Sequence, residues 1–378
     1  MATLAGHARH WDVELSRSEF TGALGDSVTV LPIVVAVAAL TELSLGRLIL
    51  GFAAFQVVWG VHYGLPISVE PMKALAALVI TGSLTTSGLV VAGLLSGAVL
   101  LFIGTTGALT RVERYIGQPV IRGVQLAVGF VLLETGIQLS LDGVGYALLA
   151  LAVVGVTLAV GRFRASTVLV IALGVVIGIT QTGLPDPQLP AIGVALPTAS
   201  DVSSASLGAA VGQLAMTIGN AAVATSLLLS DYFDADVSAD ELATSMGAMN
   251  LLAVPLGAMP MCHGSGGVAG KYAFGARTAG ANVILGVGYV LVALFAVDVV
   301  AAYPVAMLGV VLAIIGLQLA RTSLTSLTRA DGYPLVVAIG VVGVAVNLGV
   351  AFVGGVVAWL AWERWGGPGV RCGLRRAV

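Results

Sequence analysis

The sequence predicts an all-α polytopic membrane protein. It would have about fourteen transmembrane segments in a seven-plus-seven inverted repeat, with two half-helices meeting at the membrane midplane. Three observations predict this. The 378 residues are 58% hydrophobic and only 10% charged, with mean hydropathy +1.03, whereas soluble domains carry about 25% charged residues. The apolar residues fall into runs near spanning length, which for a helix is about 20 residues. Two proline- and glycine-led breaks, at 66–71 and 260–267, interrupt the pattern at related places in the two halves.

Taken in order, residues 1–19 carry Arg9, Asp12, Glu14, Arg17 and Glu19 without an apolar run. That reads as a cytoplasmic leader and not a cleaved signal. The spans read as 22–40, 46–62, 71–83, 87–105, 119–139, 144–160, 166–183, 206–230, 243–258, 265–275, 280–298, 304–320, 333–346 and 348–365. Those at 71–83 and 265–275 are too short to cross alone, and each follows a break, so each reads as a half-helix entered from extended backbone. The first repeat covers 20–190, the second 191–366, and 367–378 form a cytoplasmic tail.

With the N-terminus inside, Arg111, Arg114, Arg162, Arg164, Arg277, Arg321, Arg329, Arg364, Arg371, Arg375 and Arg376 fall at cytoplasmic ends, and Arg47 alone falls outside. That asymmetry is the one the positive-inside rule requires. Trp59, Trp359, Trp362 and Trp365 lie near span ends, as an aromatic belt would.

The repeat rests on short matches. "TGALGD" (21–26) resembles "MTIGN" (216–220), aligning Gly25-Asp26 with Gly219-Asn220, and "GIQL" (136–139) resembles "GLQL" (316–319). Each Gly-Asp or Gly-Asn pair precedes a break by about 40 residues. Seven spans per copy is an odd number, so the second copy enters from the opposite side. Inverted repeats with paired broken helices point to a secondary transporter.

The breaks carry the chemistry. Unwound backbone at membrane depth is tolerated only where protein or a water-filled cavity covers it. The amides at a half-helix start then face that cavity with about half a positive charge. Two such starts facing each other make an anion site, and glycines let a ligand approach the backbone. The expected cradle is the backbone of Met72, Lys73 and Ala74 opposite that of Ser265, Gly266 and Gly267, with His263 and Gly264 beside it. Asp26, Ser27 and Thr29 on the first span, and Thr217 and Asn220 on the eighth, should line the cavity. Gln125 faces it from the fifth span. Asp26, Glu70 and Lys73 are ionisable groups within spans, which default to functional roles; Glu70 and Lys73, three residues apart, also suit each other as an ion pair. Lys271 and Arg277 read as interface anchors, and most of the 50 glycines as helix-packing surfaces.

Other classes are excluded or disfavoured. A net charge of −2 leaves no basic patch for nucleic acid. Cys262 and Cys372 imply no disulfide framework. No G-x-S-x-G elbow, H-E-x-x-H, clustered Cys/His spacing or G-x-x-x-x-G-K-[ST] loop occurs, so no catalytic residue, metal or cofactor is expected. "HGSGG" (263–267) alone does not make an intramembrane enzyme, because Ser265 and His263 face different ways.

"GALGDSVTVLPI" (22–33), "YGLPISVEPMKALAAL" (63–78), "GQPVIRGVQLAVG" (117–129) and "GAMPMCHGSGGVAGKYAFGART" (257–278) together resemble the molybdate transporter family, a relative of the sulfate permeases. The resemblance runs from about residue 20 to 330. It implies a core domain from spans 1–4 and 8–11 and a gate domain from spans 5–7 and 12–14. It also implies uptake of molybdate, with sulfate or tungstate as chemical cousins, at the cell membrane with both termini cytoplasmic. Relatives often dimerise, so a homodimer is the assembly it suggests. Where the family usually has an amide, this chain has Glu70, and where it often has alanine, this chain has Ser265. A proton-coupled nucleobase or other small-anion carrier of the same fold is the alternative, since carboxylates can hold ring N–H groups.

Coupling follows from charge. Moving one charge against 100 mV costs about 2.3 kcal/mol, and a dianion roughly twice that. At about 1.4 kcal/mol per decade the potential alone opposes accumulation by some three orders of magnitude. An importer without ATP must bring cations along, and protons carried by Glu70, with Asp26 as second acid, are the expectation.

Overall fold

In the computed structural model the described residues are 13–365, apart from 191–192, 195, 296–298, 301, 326 and 328–331. The side chains of residues 28, 29, 110, 113, 114, 164 and 365 are outside the description as well. Expectations on Arg9, Asp12, Arg329, Cys372 and the residue 367–378 tail therefore lie outside the described residues, as do those on the side chains of Arg114, Arg164 and Trp365.

Helix α1 (Arg17–Leu40) starts at Ser16, whose hydroxyl accepts the Glu19 amide at 3.3 Å. Helix α2 (Leu45–Tyr63) stops at Gly64, whose φ of 67° is the left-handed geometry that closes a helix. Pro66 and Pro71 then keep the chain extended, because proline lacks an N–H and disfavours helix before it. The extended run becomes β1 (Val69–Pro71), and α3 (Lys73–Ile80) begins immediately after.

The second break mirrors this. Pro255 ends α11 (Ala239–Ala253) in a 3-10 turn, so the span expected to run to 258 stops five residues early. Strand β2 (Met261–His263) follows, and then α12 (Ser265–Ala273). The strands pair antiparallel, with Val69 opposite His263, Glu70 opposite Cys262 and Pro71 opposite Met261. The breaks, expected to lie together and to be non-helical, do both. A two-stranded ribbon buried this deeply must have its outer edge satisfied by protein. Asn250 of α11 does so, donating to Met261 O at 2.7 Å and accepting Met261 N at 2.8 Å.

Among the described residues the remaining α-helices are α4 (Thr86–Thr105), α5 (Leu109–Ile116), α6 (Gln118–Leu141), α7 (Val144–Ala159), α8 (Ser166–Thr182), α9 (Ser204–Met216), α10 (Ala224–Phe233), α13 (Gly280–Phe295), α14 (Val305–Thr325), α15 (Tyr333–Ala345) and α16 (Leu348–Trp365). Helices α1 and α2 pack on α12 and α13, and α4 packs on α9 and α11. Helix α6 packs on α14 and α15, with α7, α8 and α16 around them. The α6–α14 seam is glycine-made: a Cβ at Gly129 would lie 2.8 Å from Gly316 O, and one at Gly309 would lie 2.7 Å from Gly136 O. Small residues let such helices touch.

Five described stretches are long and apolar enough to span a bilayer singly: α2, α4, α6, Ser204–Phe233 and α14. Helices α7, α8, α13 and α15 are apolar but shorter. Two further features differ from the sequence reading. The short α5 was not foreseen, because it carries too little apolar sequence to register as a span. The expected span 206–230 is interrupted by a π-helical stretch, Thr217–Val223, that joins α9 to α10. Such insertions occur frequently at functional sites.

Candidate functional site

The paired strands set the starts of α3 and α12 side by side. Both starts are capped, which corrects the expectation of bare amides. The Gly267 amide donates to Glu70 Oε1 at 2.7 Å, while Glu70 Oε2 pairs with the Lys73 ammonium. The Ala74 amide donates to Gln213 Oε1 at 2.9 Å, and the Leu75 amide to the same oxygen at 3.4 Å. Gln213 is held in turn by Thr217, which accepts its Nε2 at 2.9 Å. The physical reason is that a helix start far from water cannot leave its N–H groups unsatisfied. The Met72 amide donates to Pro260 O at 2.9 Å and belongs to the ribbon.

Two adjoining cavities meet here. A small one of about 60 Å³ is lined by Glu70, Lys73, Gln213, Thr217, Asn220, His263, Gly264, Ser265 and Gly266, among others. A larger one of about 370 Å³ shares Lys73, Met216, Asn220, Ser265 and Gly266 with it and adds Arg122, Gln125, Thr167, Gln318 and Thr322. The larger cavity lies between α3, the π stretch and α12 on one side and α6, α8 and α14 on the other. Arg122 bridges the divide, donating to Gln125 Oε1 at 2.8 Å and to Asn220 Oδ1 at 3.2 Å. Its Nε is buried with no hydrogen-bond partner. Because Glu70 balances Lys73, Arg122 leaves the larger cavity with a cationic wall.

The other expected residues sit behind this surface. Asp26 is fully buried and pairs with Lys271 at 3.0 Å, with Ser68 donating to it at 2.5 Å and Gln56 at 2.8 Å. Lys271, expected at the interface, is itself fully buried among α1, α2 and α13, which corrects that reading. Arg277 is exposed, with its guanidinium 3.8 Å from the Tyr272 ring centre. Ser27 donates to Ala23 O within its own helix at 3.3 Å. The side chain of Thr29 lies outside the described residues. His263 borders the small cavity with both nitrogens engaged: Nδ1 donates to Ser68 O at 3.0 Å, and Nε2 is 2.7 Å from Ser245 Oγ. Trp59 packs edge-on to His263 at 6.4 Å, an inward contact and not a belt position.

Arg122, Gln213, Gln56 and Asn282 were missed in the sequence, and Lys271 was placed at the interface instead. Arg122 had a signal, since it is a charge within a span three residues before Gln125. Gln213 had a weaker one, four residues and so one turn before Thr217.

The chain matches the sequence family described as "Molybdate transporter of MFS superfamily" over residues 18–132 and 205–319, more than half its length. It is 29% identical to "Molybdate transporter 2" of Arabidopsis thaliana, covering 91% of this chain and 86% of that one. It is 27% identical to "Molybdate transporter 1" of the same plant, covering 91% and 88%. Among solved structures it resembles the transmembrane domain of the cyanobacterial bicarbonate transporter BicA, at TM-score 0.68 and 17% identity, covering 89% of this chain and 97% of that one. It also resembles SLC26A9 at TM-score 0.71 and 14% identity, covering 91% of this chain and 64% of that one. The fold is thus that of BicA and SLC26A9, these relatives are transporters and not enzymes, and the chain belongs to the molybdate transporter family of multi-pass membrane proteins.

Proposed function

We propose that the chain is a secondary carrier that imports a tetrahedral oxyanion, molybdate in preference to sulfate or tungstate, together with protons. The observation that carries this is the convergence of the α12 amide start, Lys73 and Arg122 on two adjoining cavities at a paired helix break. The names of the curated relatives favour molybdate among oxyanions.

In this reading the Glu70 carboxylate holds the place an oxyanion oxygen takes, since it already occupies the Gly267 amide and the Lys73 ammonium. Substrate must displace it. A charged carboxylate about 4 Å from a dianion would be opposed by about 8 kcal/mol at an effective dielectric of 20. Protonating an ordinary glutamate at pH 7 costs about 4 kcal/mol. The proton is the cheaper route, so one proton enters with each anion through Glu70. Asp26 is the weaker candidate, because Lys271 already neutralises it. A dianion entering with one proton still carries one net negative charge inward, so concentrative uptake needs at least a second proton. Arg122, fixed in the protein, stabilises the bound anion but does not cross with it.

The finer architecture belongs to the same proposal. Fourteen segments in a seven-plus-seven inverted repeat require the shorter helices to cross as well, with α3 and α12 as half-helices near the midplane. Two family matches of equal extent, one in each half, support the repeat. Helices α1–α4 and α9–α13 would form the core, and α6–α8 with α14–α16 the gate, as their packing supports. The location would be the cell membrane with both termini cytoplasmic, and the assembly a homodimer. A nucleobase carrier is the second reading, favoured only by the Glu70 carboxylate at the cavity.

The test is equilibrium titration of purified protein with molybdate and with sulfate, in wild type and Arg122→Gln. Loss of a hydrogen bond to a charged group costs about 1.5–3 kcal/mol, so the variant should bind molybdate roughly 10–150-fold more weakly. Unchanged affinity in a folded variant would remove Arg122 from the site.

A further inference from the structure

The Lys271 ammonium, buried behind the α12 start, is enclosed by four oxygens, from α1, α2, α13 and the loop between α2 and β1. These are Ile67 O at 2.6 Å and Asp26 Oδ2, Gln56 Oε1 and Asn282 Oδ1 at 3.0 Å each. An ammonium has three protons, so four oxygens share three donors. The shell is therefore larger than the hydrogen bonding of a lysine demands. It contains only oxygen, which suits hard cations, and a single carboxylate, which balances one charge and not two.

The shell is also held independently of the lysine. The two Asn282 Nδ2 protons are shared among Gln56 O at 2.8 Å, Gln56 Oε1 at 2.9 Å and Ile67 O at 2.7 Å. Gln56 Nε2 donates to Asp26 Oδ2 at 2.8 Å and to Val69 O at 3.1 Å, and Ser68 Oγ fixes Asp26 Oδ1. Shortening Lys271 would leave these oxygens aimed at a common centre, with one negative charge.

We propose that this cage is a monovalent-cation site which the chain fills with its own ammonium, and that it takes potassium or sodium once Lys271 is shortened. An ammonium and a potassium ion are of similar size, so the 2.6–3.0 Å spacing suits potassium first. The cage abuts the oxyanion cradle: a Cβ on Gly267 would land on Asp26 Oδ1 and Ser68 Oγ. A carrier with this cage empty would admit a metal ion directly behind its anion site. Here the charge is tethered, does not exchange, and leaves the Asp26 position independent of the salt outside. The inference needs no oxyanion and is tested without one.

The experiment is thermal unfolding of purified full-length wild type, Lys271→Ala and the double variant Lys271→Ala with Asp26→Asn, in potassium, sodium or choline chloride. At a salt concentration a hundred times the Kd, the single variant should gain about 3–6 °C in Tm over choline. Wild type should not respond, because its cage is full. The double variant should not respond either, because its cage has lost its charge. Equal Tm of the single variant in all three salts would overturn the proposal. So would recovery of the double variant alone while the single variant fails to fold even in potassium chloride. The same salt response in single and double variants would place the cation elsewhere and overturn it as well.

Discussion

Gly266→Ala separates the chemistry of the site from its packing. Gly266 is the second residue of α12 and borders both cavities. The nearest atom to a Cβ built there is Glu70 Oε1 at 3.9 Å, an ordinary contact, so the protein has room for the methyl group. Alanine is preferred over glycine within a helix by up to about 1 kcal/mol, so stability should hold or rise slightly. The methyl group instead occupies space in a cavity of only about 60 Å³, against the amide face the anion approaches. One extra carbon in a fitted pocket costs about 1–3 kcal/mol, or 10–200-fold in affinity. Gly266→Val, bulkier still, should abolish transport. The neighbouring Gly267→Ala behaves oppositely, because its methyl group would strike Asp26 and Ser68, both fully buried. Overpacking of that kind costs about 1–3 kcal/mol of stability. The assay pairs scanning fluorimetry with calorimetric titration of molybdate. Wild-type affinity in a correctly folded Gly266→Ala would refute the cradle, whatever the stability of the Gly267 variant.

Glu70→Gln in proteoliposomes should bind and exchange oxyanion but lose accumulation driven by an imposed pH gradient. Unchanged pH dependence there would take the proton off Glu70, and unchanged dependence in Asp26→Asn too would take it off both acids. Glu19→Ala tests the scaffold. Glu19 accepts the Arg277, Thr278 and Ala281 amides at 2.8–3.0 Å, tying α1 to the start of α13. Each buried donor left unsatisfied costs about 1–3 kcal/mol, so Tm should fall by several degrees, whereas a Tm within one degree of wild type would show that water replaces the cap.

The broad fold was legible because composition and span length are one-dimensional signals. The breaks were legible because Pro66, Pro71 and Pro260 stand among glycines and each costs a helix interior a hydrogen bond, whereas Pro255 was not, since the expected span 243–258 runs through it. The meeting of the two breaks was legible only through the repeat. What escaped depends on contacts far apart in sequence. Lys271 reads as an interface anchor until Asp26, some 245 positions away, is placed beside it. The caps on α3 and α12 escaped for the same reason: Gln213 and Glu70 reach amides on other segments, so spacing carries no trace of them. The π stretch Thr217–Val223 escaped because one extra residue per turn leaves the apolar content of the span unchanged. Asp26 and Ser27, chosen for the cavity, lie on the correct helix but behind its wall, a rotation that apolar periodicity cannot fix in an almost wholly apolar segment.

The most direct measurement is uptake of labelled molybdate into proteoliposomes carrying the purified protein, under an inward proton gradient, with unlabelled competitors. The account predicts concentrative uptake that collapses when the gradient is dissipated. Tungstate and sulfate should compete as tetrahedral dianions, and uracil should have no effect. Competition by uracil, with no molybdate accumulation above empty vesicles, would contradict the account and leave the nucleobase reading in its place.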